Sequence, residues 1–365
     1  MDKKIMIIFS ILIVFTVFFA GCNDIFPGED GKTTYEAHTS KISCTLTYGY
    51  WVNCTGNGRY EINYDCDTPE VLNGQLSSLT IHNNDYTENS IAGNNMISWN
   101  IDDDINKNHK LGITANIVNE NYIVSDLNGG NSLTIAEISE QYPELVEQYC
   151  QPQSNKTIIY INPDSPSIKS QALTTYNDAN TDNAFLIAKE LFKWLKQTTT
   201  YQIHTDSNSV QDSAYTMTYK TGDCDDLSFL YISLCRAVDI PARFIRGFLV
   251  EKSNDEVIVT PHAWTEVFVG GGIGNSGWIS VECAGTATII DAEINQNFAL
   301  ESASHIRLFK DDGSHESLNS SLSGLSYLMY GNRDIESEPI AYATNYEILE
   351  KKELVVNKNG MRSYQ

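Results

Sequence analysis

The clearest periodic pattern in the chain lies between residues 221 and 241. Apolar side chains recur there at three- and four-residue spacings, which is typical of a helix that packs one face on a core: Leu227, Leu230, Tyr231, Leu234, Cys235 and Val238. Pro241 disfavours helix at the preceding residue, so the helix is predicted to end near Asp239. It begins after Thr221-Gly222-Asp223, which places Cys224 at its N-terminus. A similar stripe predicts another helix over Asn183 to Gln197.

Residues 42–161 show a different pattern. Short alternating segments, such as Tyr60 to Tyr64 and Leu111 to Val118, are separated by Asn-Gly turn signals. This arrangement is typical of antiparallel strands. We therefore predict a β-sandwich-like domain over 42–163, with one helical interruption near Thr134 to Tyr149.

Two further strands are predicted around a glycine-rich loop. Alternation gives each strand one shared face, occupied by His262, Trp264, Glu266 and Phe268 on the first and by Trp278, Ser280 and Glu282 on the second. If Phe268 pairs with Ser276, Glu282 lies directly opposite His262. Opposed residues on one face have Cβ atoms about 5 Å apart, and diagonal neighbours stay within reach. The pattern therefore predicts a carboxylate beside an imidazole.

The N-terminus has the pattern of an export signal. Two lysines precede an apolar run from Ile5 to Ala20, which is shorter than the roughly 20 residues of a spanning helix. The run ends at Phe19-Ala20-Gly21-Cys22, which resembles a lipobox with Cys22 as the lipidated residue. An uncleaved anchor and plain secretion remain as alternatives. All three export the protein, so we expect it to be anchored in the membrane or secreted and to face the extracellular side, with residues 23–41 as a polar tether.

Composition excludes several classes of protein. The 365 residues contain 24 Lys plus Arg and 47 Asp plus Glu, which gives a net charge of −23. Such a deficit of cations argues against nucleic acid as a partner, because binding to phosphates needs clustered cations. Charged residues make up 19% of the chain, so it is not an acidic disordered protein. Its length predicts two folded domains.

We predict no cofactor and no metal ion. The cysteines lack the paired spacing of a structural zinc site, and no Cys/His cluster compensates. The segment from Gly272 to Gly277 matches the dinucleotide fingerprint G-x-G-x-x-G, but that motif requires a helix after its last glycine. A strand is predicted there, so the segment is interpreted as a hairpin loop.

Export would place the eight cysteines in an oxidising compartment. If Cys22 is lipidated and one other cysteine is a free nucleophile, six remain for three disulfides, and the sequence does not determine their pairing. We expect bridges among Cys44, Cys54, Cys66 and Cys150, which share the N-terminal half. Cys235 lies on the helical stripe and is predicted to be core, and Cys283 is predicted to be buried or bridged.

Cys224 is the candidate nucleophile. Free backbone N–H groups at a helix N-terminus favour the thiolate, which is the attacking species. Asp223, Asp225 and Asp226 act in the opposite direction unless their side chains point outward. Alone, this cysteine would more often be a disulfide or a buried thiol. With His262 as base and Glu282 as the group that orients it, all three members of a catalytic triad are available.

Four motifs resemble the transglutaminase-like cysteine-enzyme superfamily in order and spacing. They are Thr221-Gly222-Asp223-Cys224-Asp225-Asp226, Ile240-Pro241-Ala242-Arg243, His262-Ala263-Trp264-Thr265-Glu266-Val267 and Gly277-Trp278-Ile279-Ser280-Val281-Glu282. The resemblance covers about residues 165–283 and implies an α+β fold with a papain-like, transglutaminase-type core, with Cys224 as nucleophile and His262 as base. The usual third residue is Asp, and Glu282 stands in its place.

The expected organisation is a signal peptide (1–22), the tether (23–41), the β-rich domain (42–163), the catalytic core (164–295) and a C-terminal extension (296–365) that could pack on the core. The expected activity is a surface thiol enzyme acting on amide bonds of protein or cell-envelope peptides through an acyl-enzyme. The resemblance favours hydrolysis over crosslinking by analogy. A non-catalytic surface binding protein on the same scaffold is the alternative from another class.

Overall fold

A computed structural model describes residues 31–91, 93–150, 160–203, 210–318 and 324–365. The predicted signal peptide, Cys22 and the start of the tether lie outside these residues. Among the described residues, no helix is long and apolar enough to cross a membrane. The chain combines helices with antiparallel sheets, and the predicted α+β fold class, with its β-rich N-terminal region, is confirmed.

From residue 31 onward, seven described strands precede α1 (Ile135–Gln141): β1 (Thr33–Asn57), β2 (Tyr60–Asp67), β3 (Gly74–His82), β4 (Thr87–Ile91), β5 (Asn94–Asp103), β6 (Lys107–Glu120) and β7 (Tyr122–Ile123). Their buried side chains alternate with exposed ones along β2 and much of β1, because successive side chains of a strand point to opposite faces. The inward faces meet in an apolar cluster that includes the fully buried Tyr60 and Trp99.

The C-terminal segment completes this β unit. Strands β15 (Ser326–Met329), β16 (Asn332–Val356) and β17 (Arg362–Tyr364) follow the predicted core (164–295) in the chain; β16 pairs antiparallel with β1 from Thr33↔Val356 to Asn57↔Asn332. The two sheets have the strand orders β17-β16-β1-β6-β3 and β15-β2-β5-β4. The extension is therefore divided, since its last strands belong to the N-terminal sheets and only its first part packs on the core.

The helices are α1 (Ile135–Gln141), α2 (Pro143–Cys150), α3 (Pro166–Ala179), α4 (Ala184–Thr198), α5 (Ser213–Tyr219), α6 (Cys224–Arg236) and α7 (Ile290–Asn297). The helical interruption predicted near Thr134 is thus two short helices, of which α1 begins with a capping box between Thr134 and Glu137. Pro143 opens the second helix, a position where its missing N–H is tolerated. In α6, every predicted apolar position from Leu227 to Cys235 is fully buried.

The remaining strands are β8 (Thr200–Tyr201), β9 (Thr221–Gly222), β10 (Ala242–Ser253), β11 (Glu256–Phe268), β12 (Trp278–Val281), β13 (Leu300–Glu301) and β14 (His305–Lys310). The central sheet of the core has the order β12-β11-β10-β14, and α6 packs on β10 and β11. Residues 269–277 connect β11 to β12 as a hairpin loop, with no helix after Gly277, so the interpretation of the glycine motif is confirmed.

The disulfide prediction is wrong for the described cysteines. All seven are free thiols, and six of them are buried. Cys44 and Cys54 lie on the same strand ten residues apart, about 33 Å in extended chain, whereas bridged Cα atoms lie within about 7 Å. Cys150 belongs to the helical core, while Cys66 lies in the N-terminal cluster. Sharing one half of the sequence therefore does not bring these thiols together.

Candidate active site

Cys224 is the first residue of α6, as predicted. Its carbonyl oxygen accepts a hydrogen bond from Ser228 Oγ at 2.6 Å. The backbone N–H of Ala263 lies near the Cys224 thiol and favours its thiolate. Because Ala263 follows His262 on β11, the packing of α6 against this strand places the sulfur next to the predicted base.

The three aspartates beside Cys224 differ in their surroundings. Asp226 is buried, and its oxygens accept the backbone N–H groups of Gln211 at 2.8 Å and of Asp223 at 3.2 Å. Burial and the neighbouring Asp223 raise the pKa of Asp225 to about 9, so that this carboxyl is protonated at neutral pH. The site therefore carries less negative charge than the sequence indicates.

The resting nucleophile is nevertheless a thiol. Burial raises the pKa of Cys224 well above its usual value, Asp225 and Asp223 raise it further, and the Ala263 N–H acts in the opposite direction. Ionisation at neutral pH thus needs a proton acceptor close to the sulfur. That requirement increases the importance of His262.

His262 and Glu282 form a direct hydrogen bond. His262 Nε2 and Glu282 Oε2 lie 2.7 Å apart, and only 6% and 5% of the two residues is exposed. The other carboxylate oxygen, Oε1, accepts the backbone N–H of Ala284 at 2.7 Å. Burial alone would raise the pKa of Glu282, but His262 and His305 hold it well below its usual value. The carboxylate is therefore ionised and fixed against the imidazole.

The predicted strand register is wrong by two residues. Phe268 pairs with Trp278, not Ser276, and the ladder ends at Thr265↔Val281. Two more residues belong to the loop than the symmetric pairing assumed, so Glu282 is a diagonal neighbour of His262. The contact survives because glutamate is long enough to bridge a diagonal on the same face.

His305, which the sequence analysis missed, is a second partner of Glu282. Its Nε2 lies 2.9 Å from the same oxygen, Oε2, and the rings of His305 and His262 are 5.4 Å apart between centroids. These rings belong to β14 and β11, which flank β10. A Cβ at Gly247, opposite His262 on β10, would lie 1.9 Å from the carbonyl oxygen of Ile306, so the missing side chain lets β14 approach β10. One feature of the sequence could have indicated this role. His305 and Arg307 alternate with apolar residues at the start of β14, so they share one face of a strand.

A buried ionic cluster supports this part of the sheet. Arg307 Nη1 lies 2.7 Å from Glu266 Oε1, and Arg307 Nε lies 2.8 Å from Glu301 Oε1. Glu301 also accepts the indole N–H of Trp264 at 2.9 Å. Arg243 Nε donates to Glu266 at 2.7 Å. The cluster fixes Trp264, whose ring stacks on His262.

The strand end that carries Glu282 is held by Lys196 on α4. This lysine is buried, and its Nζ donates to the carbonyl oxygens of Cys283, Ala284 and Gly285 and pairs with Glu293 at 3.1 Å. Cys283 and Cys235 are both fully buried free thiols. Burial raises the pKa of each thiol, which makes them unreactive core residues, as their positions in the sequence predicted.

Within the described part of the chain, two groups of side chains bring metal-ligand atoms within 4.8 Å of one another: His262, Glu282 and His305, and Asp223, Cys224 and Asp225. In the first group, His262 and His305 both hydrogen-bond to Glu282 Oε2, and these bonds explain why the three side chains lie so close together. We assign no metal to either group.

Comparison with known proteins agrees with this geometry. Residues 171–283 match the model of the transglutaminase-like superfamily core. A solved structure described as a "putative cysteine protease" from Cytophaga hutchinsonii is 15% identical, with a TM-score of 0.53, and the match covers 92% of this chain and all of that one. At this identity the likeness shows the fold alone. The periplasmic domain of TgpA from Pseudomonas aeruginosa aligns over 68% of this chain and 88% of its own, with 12% identity and a TM-score of 0.33.

No curated protein sequence matches the chain significantly. The matched segment nevertheless contains all three predicted site residues and the helix and strands that position them. Residues 171–283 therefore match the transglutaminase-like superfamily core, and the chain has a fold similar to that of the Cytophaga hutchinsonii protein.

Proposed function

We propose that the protein is an exported thiol hydrolase that cleaves amide bonds in peptides through an acyl-enzyme formed on Cys224. The observation that carries the proposal is the placement of Cys224 at a helix N-terminus against Ala263, next to a buried His262–Glu282 pair. Nucleophile, base and orienting carboxylate are the parts that this chemistry needs.

The hydrogen bond to Glu282 assigns the proton of the His262 ring. An ionised carboxylate only accepts hydrogen bonds, so Nε2 carries the proton and Nδ1 is the basic nitrogen. In the proposed reaction, Nδ1 takes the thiol proton as Cys224 Sγ bonds to the carbonyl carbon. His262 then gives this proton to the departing amine as the C–N bond breaks. Water, activated in the same way, hydrolyses the thioester and restores the thiol.

Glu282 and the backbone would stabilise charge in this reaction. The imidazolium that forms on His262 lies 2.7 Å from the ionised carboxylate, in surroundings that exclude most water. The N–H of Cys224 at the start of α6 is a natural donor to the oxyanion of the tetrahedral intermediate. Both contributions need a group that is already in place. Buried hydrogen bonds hold the Glu282 carboxylate, and the start of α6 holds the N–H of Cys224.

Transfer to an amine, which would crosslink proteins, is the second candidate. It is favoured by an acidic group beside the nucleophile, because Asp223 lies within 4.8 Å of the Cys224 sulfur and would attract an ammonium group. Hydrolysis is favoured by the name of the Cytophaga hutchinsonii protein, a proposed protease of similar fold. One experiment separates the two reactions.

We expect peptide release without amine incorporation when the protein is incubated with cell-envelope peptides and an isotopically labelled primary amine. Mass spectrometry detects both products. The matched control is protein whose Cys224 has been alkylated first, and it should give neither product. Incorporated amine as the main product would replace hydrolysis by acyl transfer, and equal release by the alkylated control would contradict the thiol mechanism.

Export and membrane attachment rest on the N-terminal sequence. If the lipobox-like segment is used, the mature chain begins at Cys22 and this residue carries a lipid. We expect intact-mass measurement of protein from the membrane fraction to show that N-terminus with a lipid mass increment. A mature chain that begins before Cys22, or a Cys22 without lipid, would contradict the lipoprotein proposal.

A further inference from the structure

His305 has the hydrogen-bonding pattern of a member of the site, not of a residue buried only for packing. Its Nε2 donates to Glu282 Oε2 at 2.9 Å, and Ser302 Oγ lies 2.8 Å from its Nδ1. Because the carboxylate accepts only, Nε2 carries a proton, and Ser302 Oγ is the hydrogen-bond partner of the other nitrogen. Both nitrogens of the ring are thus occupied, in an orientation that faces Glu282.

The ring is held in place from the N-terminal β unit as well. Asn119 on β6 donates from Nδ2 to the carbonyl oxygens of Ala303, at 2.9 Å, and of His305, at 2.8 Å. Trp264 packs against the His305 ring edge-to-face, with centroids 4.7 Å apart. Main chain and ring are both restrained, so the donor to Glu282 is preorganised.

Glu282 needs such a restraint more than an aspartate would. Glutamate has one more rotatable bond than the usual aspartate, and it reaches His262 across a diagonal of the sheet. Three N–H groups hold the buried carboxylate: Ala284 on Oε1, and His262 and His305 on Oε2. His262 belongs to the triad, and Ala284 follows Glu282 closely in the chain. His305 is the additional donor, from another strand.

We propose that His305 is a positioning residue that fixes Glu282 in its ionised form against His262, and so completes a Cys224–His262–Glu282–His305 relay. Its catalytic meaning rests on the proposed function. His305 touches no reacting atom in this scheme and acts only through Glu282. The longer carboxylate and the second histidine therefore act together. The hydrogen bond from His305 restrains the glutamate side chain, which has more freedom than the shorter side chain of an aspartate.

The other charged groups near the site contact residues other than Glu282. Glu266 and Glu301 pair with Arg307, and the side chains of Asp223 and Asp225 lie within 4.8 Å of the Cys224 sulfur. The two imidazoles are the hydrogen-bonding groups that lower the proton affinity of Glu282. Removing the His305 donor should therefore raise the proton affinity of the Glu282–His262 unit, while Ala284 and His262 still hold the carboxylate in place.

His305→Phe, His305→Gln and His109→Phe test the proposal in the full chain. Phenylalanine fills the space without a donor, whereas the glutamine amide can still donate to Glu282. His109 on β6 is the matched control, because it is also buried and its Nε2 lies 2.9 Å from Tyr60 Oη, outside the site. The first readout is the titration of the His262 ring, followed by NMR of histidine labelled with nitrogen-15. The second is the pH dependence of amide turnover.

We expect His305→Phe to move the His262 titration and the acid limb of turnover to higher pH by up to about one unit, which lowers activity on that limb about 10-fold. His305→Gln should stay close to the wild type, and His109→Phe should lower stability without moving either curve. An unchanged or lower midpoint in His305→Phe, or equal effects of Phe and Gln, would overturn the inference. The NMR titration tests the role of His305 even if the protein cleaves no amide. A lack of amide cleavage would count against the proposed function alone.

Discussion

Cys224→Ala is expected to reduce amide turnover at least about 10⁴-fold, to the uncatalysed background, because no other described thiol can form the acyl-enzyme. The described thiols other than Cys224 are buried. Alanine keeps the start of α6, so the far-UV circular dichroism and the unfolding midpoint should change little. The measurement is kcat on a peptide that the wild type cleaves.

Cys235→Ala is the matched control for this loss. Cys235 lies on the same helix and is fully buried, and burial raises the pKa of its thiol. Its replacement should cost about 1 to 2 kcal/mol of stability through lost packing, with kcat per folded molecule unchanged. Turnover by Cys224→Ala within tenfold of the wild type would refute Cys224 as the nucleophile.

Arg307→Met should lower the free energy of unfolding by about 3 to 5 kcal/mol, because it leaves Glu266 and Glu301 buried without their shared cation. Arg307 is 3% exposed, so water cannot replace the lost interaction. Many domains have a total stability of only about 5 to 15 kcal/mol, so this single change could leave a substantial fraction unfolded. Denaturant unfolding near neutral pH measures the difference.

The same cluster predicts how stability depends on pH. Burial alone would raise the pKa of Glu266, but Arg307 and Arg243 lower it to about 2. A carboxylate with a depressed pKa stabilises the fold above its unfolded pKa of about 4.3, and this contribution is lost as the pH falls towards 2. The difference in stability between Arg307→Met and the wild type should therefore become small under acidic conditions. There the wild type has also lost the stabilising contribution of the ionised Glu266.

Arg59→Met is the control for charge removal in general. Arg59 pairs with Asp102 at 2.6 Å, but about half of each side chain is exposed. Water replaces a pair of this kind at little cost, so the unfolding curve should hardly move. If Arg307→Met were as mild as Arg59→Met, the buried cluster would not contribute to stability as proposed.

Local periodicity predicted a large part of the core correctly. The spacing of Leu227, Leu230 and Leu234 defined α6, and the turn before it placed Cys224 at its first residue. Alternation put His262 and Glu282 on one face of neighbouring strands, so their contact survived a register that was wrong by two residues. Patterns that depend on neighbours in the chain are reliable because backbone geometry alone fixes them.

Long-range packing decided the rest. The pairing of β1 with β16 joins residues about 300 positions apart, and neither strand carries a local signal for its partner. The sequence likewise could not say that Cys44, Cys54, Cys66 and Cys150 would be kept apart as free thiols. Both outcomes depend on which surfaces the folded chain brings together.

The sequence by itself thus determined the candidate nucleophile, base and carboxylate, together with the helix and strands that present them. Only the tertiary structure brought His305 across Gly247 to Glu282, and only in the folded chain do burial and the neighbouring Asp223 raise the pKa of Asp225 enough to protonate it beside Cys224. The physical reason is the same in both cases. Hydrogen bonds between distant strands and the loss of water around a charge exist only once the chain has folded, so no local pattern of residues encodes them.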